Sequence, residues 1–279
     1  MEKPIFRWII GNNSLPRGLD VLSVSILNAK KIYKDEFDWF ICYNTNDSDK
    51  LYKIERLARK HQIKLYKQSW DQCPIPEPLQ PDRSDGLNDH ASAGGSMWKY
   101  CPARIKENVH EIICDNDIVL VKRVDEIDQF LTQKKVLLTQ DANSFLGRYE
   151  DFQESEKTYN SGFIGLPPNY DFAQKIFQMW DKTQYSDLSY ADEQGLITLV
   201  LSQEDFILLP TQVLPVLSTP LFCANNIIPS KRWLEYDNDL WETFLINCKG
   251  YHFGGANRKQ EHIAWNQFKN RFLNQIKLI

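Results

Sequence analysis

The chain has 279 residues, 42% hydrophobic and 25% charged, which is enough to bury an ordinary core and is not the composition of a disordered protein. A net charge of −4 at pH 7 lacks the basic excess expected of a nucleic-acid binder, and no window reaches the length of a transmembrane span. The length suits one elaborated α/β domain spanning 1–279 better than two large ones.

Residues 5–10 (IFRWII) form an apolar run ending in Gly11-Asn12-Asn13, which predicts a strand and then a turn. Apolar positions at Leu19, Leu22, Ile26, Ala29 and Tyr33 predict a helix over 19–33. A buried strand is expected at 37–44 (FDWFICYN). An amphipathic helix follows at 51–62, with Leu51, Ile54, Leu57 and Ala58 on one face, and then a strand at 63–68. This alternation argues for a mostly parallel sheet with crossover helices.

Residues 70–95 interrupt the pattern with four prolines, three glycines and no periodicity, which reads as a lid or acceptor loop. A helix bent or begun at Pro102 is expected over 97–105. The segment 111–121 (EIICDNDIVLV) reads as the next strand, 124–133 as a helix and 136–141 as a strand. A further strand is expected at 159–167, where Gly162 in mid-run suggests a close backbone approach. Helices at 171–182 and 191–203 and a strand at 206–210 follow. The C-terminal quarter is irregular up to a helix near 260–278.

Six cysteines, at 42, 73, 101, 114, 223 and 248, form no C-x-x-C pair, and several sit in apolar runs. They read as buried free thiols of a reducing compartment. The start, MEKPIFRWII, has no long apolar leader, so the expected location is the cytoplasm. The last stretch, WNQFKNRFLNQIKLI, places Trp265, Phe268, Phe272 and Ile276 at helical spacing among Lys269, Arg271 and Lys277. A helix packed on the core reads this way, and so does one lying peripherally on the inner face of a membrane. Core packing is the commoner use.

The segment 111–121 raises the sharpest question, because it places Asp115 and Asp117 inside the most strand-like run of the chain. Two such carboxylates cost folding energy unless they are solvated, hydrogen-bonded or neutralised by a cation. Asp-x-Asp alone is weak evidence. The chain has two more, Asp47-Ser48-Asp49 and Asp237-Asn238-Asp239, and both read as turns. The middle pair ends an apolar run, and open α/β sheets bind ligands at the carboxyl ends of their strands. There two carboxylates can share a divalent cation. They can equally cap a turn or the helix that follows.

A second polar cluster lies in YHFGGANRKQ, where His252 precedes Gly254-Gly255 and Arg258 follows. A lone His is more often structural than a ligand, but here neighbouring glycines, Gly255 among them, let backbone approach a ligand. A neutral imidazole could complete a site with Asp115 and Asp117. Such a mixed donor set favours Mn²⁺ over Mg²⁺. Arg258 could then meet a phosphate.

Four segments in order now resemble the retaining glycosyltransferases of family 8, GT-A fold enzymes of the glycogenin and lipopolysaccharide galactosyltransferase type. CDNDIVLVKRVDEIDQF is similar to the family's Asp-x-Asp strand and trailing helix. YNSGFIGL resembles its Asn-Ser/Ala-Gly segment, ADEQGLITLVL its Asp/Glu-Gln helix, and HFGGANR the start of its His-x-x-Gly-x-x-Lys motif. The resemblance covers roughly 115–258, about half the chain. The chain departs from the pattern with Arg258 for Lys, Lys259-Gln260 for Pro-Trp, Gly195 for a usual acid and Thr198 for a usual Asn.

The resemblance implies a nucleotide-sugar donor, here a UDP-hexose, with the nucleotide part at about 1–120 and the acceptor side at about 121–279. Ile10, Gly11 and Asn12, at the end of the first strand, would hold base and ribose, with the ribose near Asn116. Lys99 and Arg258 are the candidates for the diphosphate, with Arg104 competing for the role of Lys99. Asn160, Ser161, Gly162, Asp192, Glu193 and Gln194 would form the sugar pocket, with Gln194 favoured over Glu193 for the β-face of the anomeric carbon. Asp192 and Glu193 read equally well as acids of a helix first turn. Asp141 would bind a sugar hydroxyl, or end a strand.

The acceptor is open to a glycan, a lipid-linked glycan, a small molecule or a protein. Three rival readings share these features. In an inverting enzyme, Asp192 or Glu193 would be a general base. A sugar nucleotidyltransferase would need a Gly-rich basic loop, of which GNNSLPRGL is a poor version. The third rival is a non-catalytic GT-A-like binding domain.

Overall fold

The computed structural model describes residues 2–11, 18–76, 97–141, 146–152, 158–185, 190–216, 248–253 and 265. The first half builds a parallel unit from β1 (Ile5–Ile10), α1 (Gly18–Tyr33), β2 (Asp38–Tyr43), α2 (Ser48–His61) and β3 (Lys64–Lys67). Asp47 caps α2 by accepting from the N–H groups of Asp49 and Lys50, so the first Asp-x-Asp is a helix start, not a ligand site. Then come β4 (Glu111–Asp115), β5 (Ile118–Leu120), α3 (Asp125–Thr132) and β6 (Val136–Gln140). They are followed by β7 (Tyr159–Leu166), α4 (Phe172–Asp181), α5 (Tyr190–Ser202), β8 (Phe206–Leu209) and β9 (Gly250–His252).

Seven strands form one sheet in the order β3-β2-β1-β4-β7-β6-β8. Only β7 runs against its neighbours, so the sheet is mixed and mostly parallel, as the alternation of elements implied. Both faces are covered, which is why β1, β2 and β4 read as continuous apolar runs rather than alternating ones. Phe6, Trp8, Ile112 and Cys114 pack with α1, α2 and α3, while Ile9, Ile113, Leu138 and Ile164 pack with α4 and α5. Asp115, by the same alternation, belongs to the α5 side.

Two expectations fail. The segment 97–105 is not a helix. A single 3₁₀ turn, Met97–Tyr100, gives way to irregular backbone, because Pro102 lacks an N–H and restrains the residue before it. Nor is 111–121 one strand. The chain turns at Asn116-Asp117, and β5 leaves the main sheet to pair antiparallel with β9, setting His252 opposite Ile118. Ser25 of α1 pins this second ribbon: it accepts the Trp8 indole N–H at 2.8 Å and donates to the carbonyl of Ile118. The Phe253 N–H donates to the carbonyl of Asp117 at 2.9 Å, closing the turn.

No helix among the described residues is long and apolar enough to cross a membrane. Most of the loop expected at 70–95, the third Asp-x-Asp and nearly all of the expected C-terminal helix lie outside the described residues. Trp265 is described. It is buried against Phe253, with ring centroids 5.2 Å apart, and donates to Asp20 of α1 at 3.2 Å.

Candidate functional site

The site grows from the carboxyl end of β4. Ile9 of β1 lies in register with Asp115, so Ile10 and Gly11 come out at the same sheet edge as Asp115 and the half-buried Asn116. The turn brings Asp117 round, and the β5–β9 ribbon delivers His252. His252 Nε2 stands 3.3 Å from Asp117 Oδ1 and 3.9 Å from Asp115 Oδ2. One donor atom from each of the three residues lies within 4.8 Å of the others. No other such group of His, Cys, Asp and Glu occurs among the described residues.

Gly162 forms the wall of this group. A β-carbon there would fall 2.5 Å from His252 Cε1 and 3.0 Å from Asp115 Oδ2. The mid-strand glycine is thus explained by close approach, as its position in the apolar run implied. Its N–H donates to Asn160 Oδ1 at 2.7 Å. Asn160 Nδ2 in turn donates to Asp141 Oδ2 at 2.9 Å and to Gln194 Oε1 at 3.2 Å. Gln194 Nε2 is buried with no hydrogen-bond partner among the described residues. An unsatisfied buried donor beside a polar network is a place for a ligand acceptor.

Lys99 enters from the turn before β4. Its ammonium lies 3.1 Å from Asp115 Oδ1 and 3.3 Å from Glu193 Oε1, and donates to Ser161 Oγ at 3.0 Å. Its side chain is only 7% exposed, whereas Asp115 keeps 25% of its surface open. Burial opposes the charge on Lys99, but Asp115 and Glu193 outweigh it and raise its pKa above the usual lysine range. Burial pushes Glu193 up to about 7, against the pull of Lys99. Burial likewise raises Asp115. Asp117 ends below the usual carboxylate range, because the charge and hydrogen bond of His252 overcome its burial. His252 is raised: its burial is outweighed first by Asp117 and then by Asp115. Lys99 and His252 are thus the basic groups that face the two aspartates.

Asp192 faces elsewhere. Its Oδ1 accepts the Arg148 N–H at 2.7 Å and its Oδ2 lies 3.2 Å from Arg148 Nη2. It holds the turn Gly147–Phe152 against α5. Gly195 lets that turn close, since a β-carbon there would lie 2.2 Å from the carbonyl oxygen of Leu146. Arg104 does not compete with Lys99. It is directed to the carbonyls of Val109, Pro167 and Tyr170. Asn12, Gly255 and Arg258 lie outside the described residues. Sequence reasoning missed the buried Arg7–Glu111 pair beneath Lys99, although two charges inside strand-like runs were visible.

The sheet order and flanking helices are those of the GT-A fold, which solved structures match over most of this chain. Mouse xyloside xylosyltransferase 1, in its apo form, is similar with a TM-score of 0.53 and 15% identity, covering 92% of this chain and 99% of that one. The galactosyltransferase LgtC, in complex with donor and acceptor sugar analogues, gives 0.50 and 10%, covering 90% and 87%. The apo form of the glycosyltransferase GlyE from Streptococcus pneumoniae TIGR4 gives 0.51 and 9%, covering 95% of this chain and 60% of that one. No protein-family model matches the chain, and no curated protein matches it in sequence. At such identities the likeness establishes the fold.

Proposed function

We propose that the chain is a metal-dependent GT-A glycosyltransferase that transfers a hexose from a UDP-sugar to an acceptor, with retention of anomeric configuration. The observation that carries this reading is the convergence of Asp115, Asp117 and His252 at one sheet edge, beside Lys99, Ser161, Glu193 and Gln194. A β-carbon-free wall at Gly162 and an unsatisfied buried amide on Gln194 are what a bound cation and sugar would use.

Asp115, Asp117 and His252 would hold the cation, with Mn²⁺ favoured over Mg²⁺ by the imidazole. Such an ion supplies Lewis-acid stabilisation of a departing diphosphate. Ile10, Gly11 and Asn12 would flank the base and ribose, with Asn116 on the ribose. Gly255 and Arg258 follow His252 closely in sequence and would serve the diphosphate. Lys99 would add positive charge beside the leaving group. Asp141, Asn160 and Ser161 would bind sugar hydroxyls, and Gln194 would sit beside the anomeric carbon.

An inverting enzyme would use Asp192 or Glu193 as its base; Asp192 is engaged by Arg148 and Glu193 by Lys99, and product-anomer analysis separates that reading from retention. The acceptor would be a glycan, a lipid-linked glycan, a small molecule or a protein. The net charge of −4 argues against nucleic acid.

The test is a titration of UDP, GDP and a panel of UDP-sugars with Mn²⁺ and with chelator, followed by donor hydrolysis and product-anomer analysis. Mn²⁺-dependent UDP binding with turnover of one donor and a retained anomer is the expected result. Absence of any metal-dependent nucleotide binding would overturn the reading, and an inverted product would overturn its stereochemistry.

A further inference from the structure

Two charged residues that the donor-site reading leaves unused lie beneath the turn that carries Lys99. Arg7, in the middle of β1, and Glu111, at the start of β4, are both 0% exposed, with Arg7 Nε 2.9 Å from Glu111 Oε1. The attraction between two buried charges is by itself weak evidence of a stabilising role, because desolvation offsets it.

What the pair touches explains its presence. Arg7 Nη1 donates to the carbonyl of Pro102 at 2.8 Å. Arg7 Nη2 donates to the carbonyl of Ala103 at 3.1 Å and, at 3.4 Å, to that of Lys99 itself. Glu111 Oε2 accepts the Ile105 N–H at 2.9 Å. After the short 3₁₀ turn the backbone of 101–105 is neither helix nor strand, so its polar groups need side-chain partners. Above this arch, the Tyr100 hydroxyl donates to the Glu193 carbonyl at 3.0 Å, tying it to α5.

We propose that Arg7 and Glu111 are positioning residues that shape the 99–105 arch so that the Lys99 ammonium stands between Asp115, Glu193 and Ser161. A lysine head on its four-carbon stem is placed by its backbone and its partners. Here those partners also face the substrate and cannot serve as the fixed frame. Arg suits position 7 because its planar fork reaches a carboxylate and several carbonyls at once, which an ammonium cannot. The arch itself stands on the contacts above. Its consequence for turnover rests on the glycosyltransferase reading.

Two variants test it. Arg7→Lys keeps a cation beside Glu111 and loses the fork. Arg7→Met with Glu111→Leu removes the pair at similar volume. Each is followed by thermal melting, by mass-spectrometric acetylation of Lys99, by Mn²⁺–UDP affinity and by the kcat of UDP-sugar hydrolysis.

In the folded wild type, Lys99 is 7% exposed and should resist acetylation. The expected result in both variants is a rise in Lys99 labelling and a fall in kcat of about tenfold or more, with a smaller loss of Mn²⁺–UDP affinity. The Met/Leu variant leaves the carbonyls of Lys99, Pro102 and Ala103 and the Ile105 N–H without these partners, so it should stay folded but melt lower than wild type. Exposure of Lys99 in the folded variant is the readout a merely structural pair would not move. Unchanged Lys99 protection and kcat in either folded variant would overturn the proposal. Failure of both variants to fold would also overturn it, by making the pair structural. A wild type that neither binds Mn²⁺–UDP nor hydrolyses a donor would sink the glycosyltransferase reading, and Lys99 labelling would still decide the arch.

Discussion

Gly162 and His252 come from distant parts of the chain, yet a β-carbon on Gly162 would lie 2.5 Å from the imidazole Cε1. The β7 backbone is thus the floor against which the Asp115–Asp117–His252 group rests. Gly162→Ala should push His252 off its carboxylate partners. The expected outcome is a folded protein destabilised by about 1–3 kcal/mol, the usual cost of overpacking. Mn²⁺-dependent UDP affinity should fall by about tenfold or more, as when the support of a metal ligand is disturbed. Calorimetric titration beside a melting curve checks both, and wild-type affinity in the variant would refute the placement of His252.

Asp117→Ala probes the same group directly. The proposed function requires Mn²⁺-dependent UDP binding to collapse. Binding measured in chelator, which reports only the nucleotide pocket, should not change. In the metal-free protein the substitution also removes the 3.3 Å partner of His252, so the imidazole pKa should drop. NMR titration of the His252 ring would register that fall, and an unchanged ring pKa would count against the pairing.

Glu193 carries a pH signature. Burial raises its carboxyl to about 7 from an ordinary value of 4.5. Between those two pH values the unfolded chain releases a proton that the folded one retains, so folded-state stability is lost as pH rises through this window. Glu193→Gln abolishes this titration. The decline in apo-protein stability between pH 5 and pH 8 should be smaller in the variant, by on the order of 1–3 kcal/mol. Denaturant melts at the two pH values decide it. Parallel pH profiles for wild type and variant would show that Glu193 is already ionised in the folded state.

Ser25 never reaches the site, but it holds β5 by bonding to Ile118 and the Trp8 indole. Ser25→Ala leaves a buried donor and a buried acceptor unmatched, at about 1–3 kcal/mol for each group left without a partner. Because β5 carries β9 and hence His252, Mn²⁺–UDP affinity should weaken together with stability. A variant that loses stability and keeps full affinity would show that the ribbon is held by other contacts.

Gly195→Asp tests the close packing of α5 on the turn before Arg148. That packing should fail in the variant, since its β-carbon would meet the Leu146 carbonyl oxygen at 2.2 Å. The expected outcome is a loss of at least about 1–3 kcal/mol, seen as a lower melting temperature. An unaltered melt would mean that the turn before Arg148 yields freely.

Much of this protein was readable in the order of its residues. The strands at 5–10, 37–44, 136–141 and 159–167 and the helices at 19–33, 51–62, 124–133, 171–182 and 191–203 were legible because periodicity and end signals are local properties. So was the functional suspicion falling on Asp115 and Asp117, because an acidic pair closing an apolar run has few inexpensive uses. The partners of those acids were not legible. The division of 111–121 into β4 and β5 depends on a three-residue strand, Gly250–His252, too short to show any pattern of its own. Asp192 and Glu193 are adjacent first-turn acids and look alike in sequence. One is turned to Arg148 and the other to Lys99 only because α5 packs between two different turns. Arg7 and Glu111 meet because β1 and β4 are neighbours in the sheet. Local pattern determines which segments become strands and helices. Which charges face each other is decided when the layers close, because burial forces each charge to find its partner among residues far away in the chain.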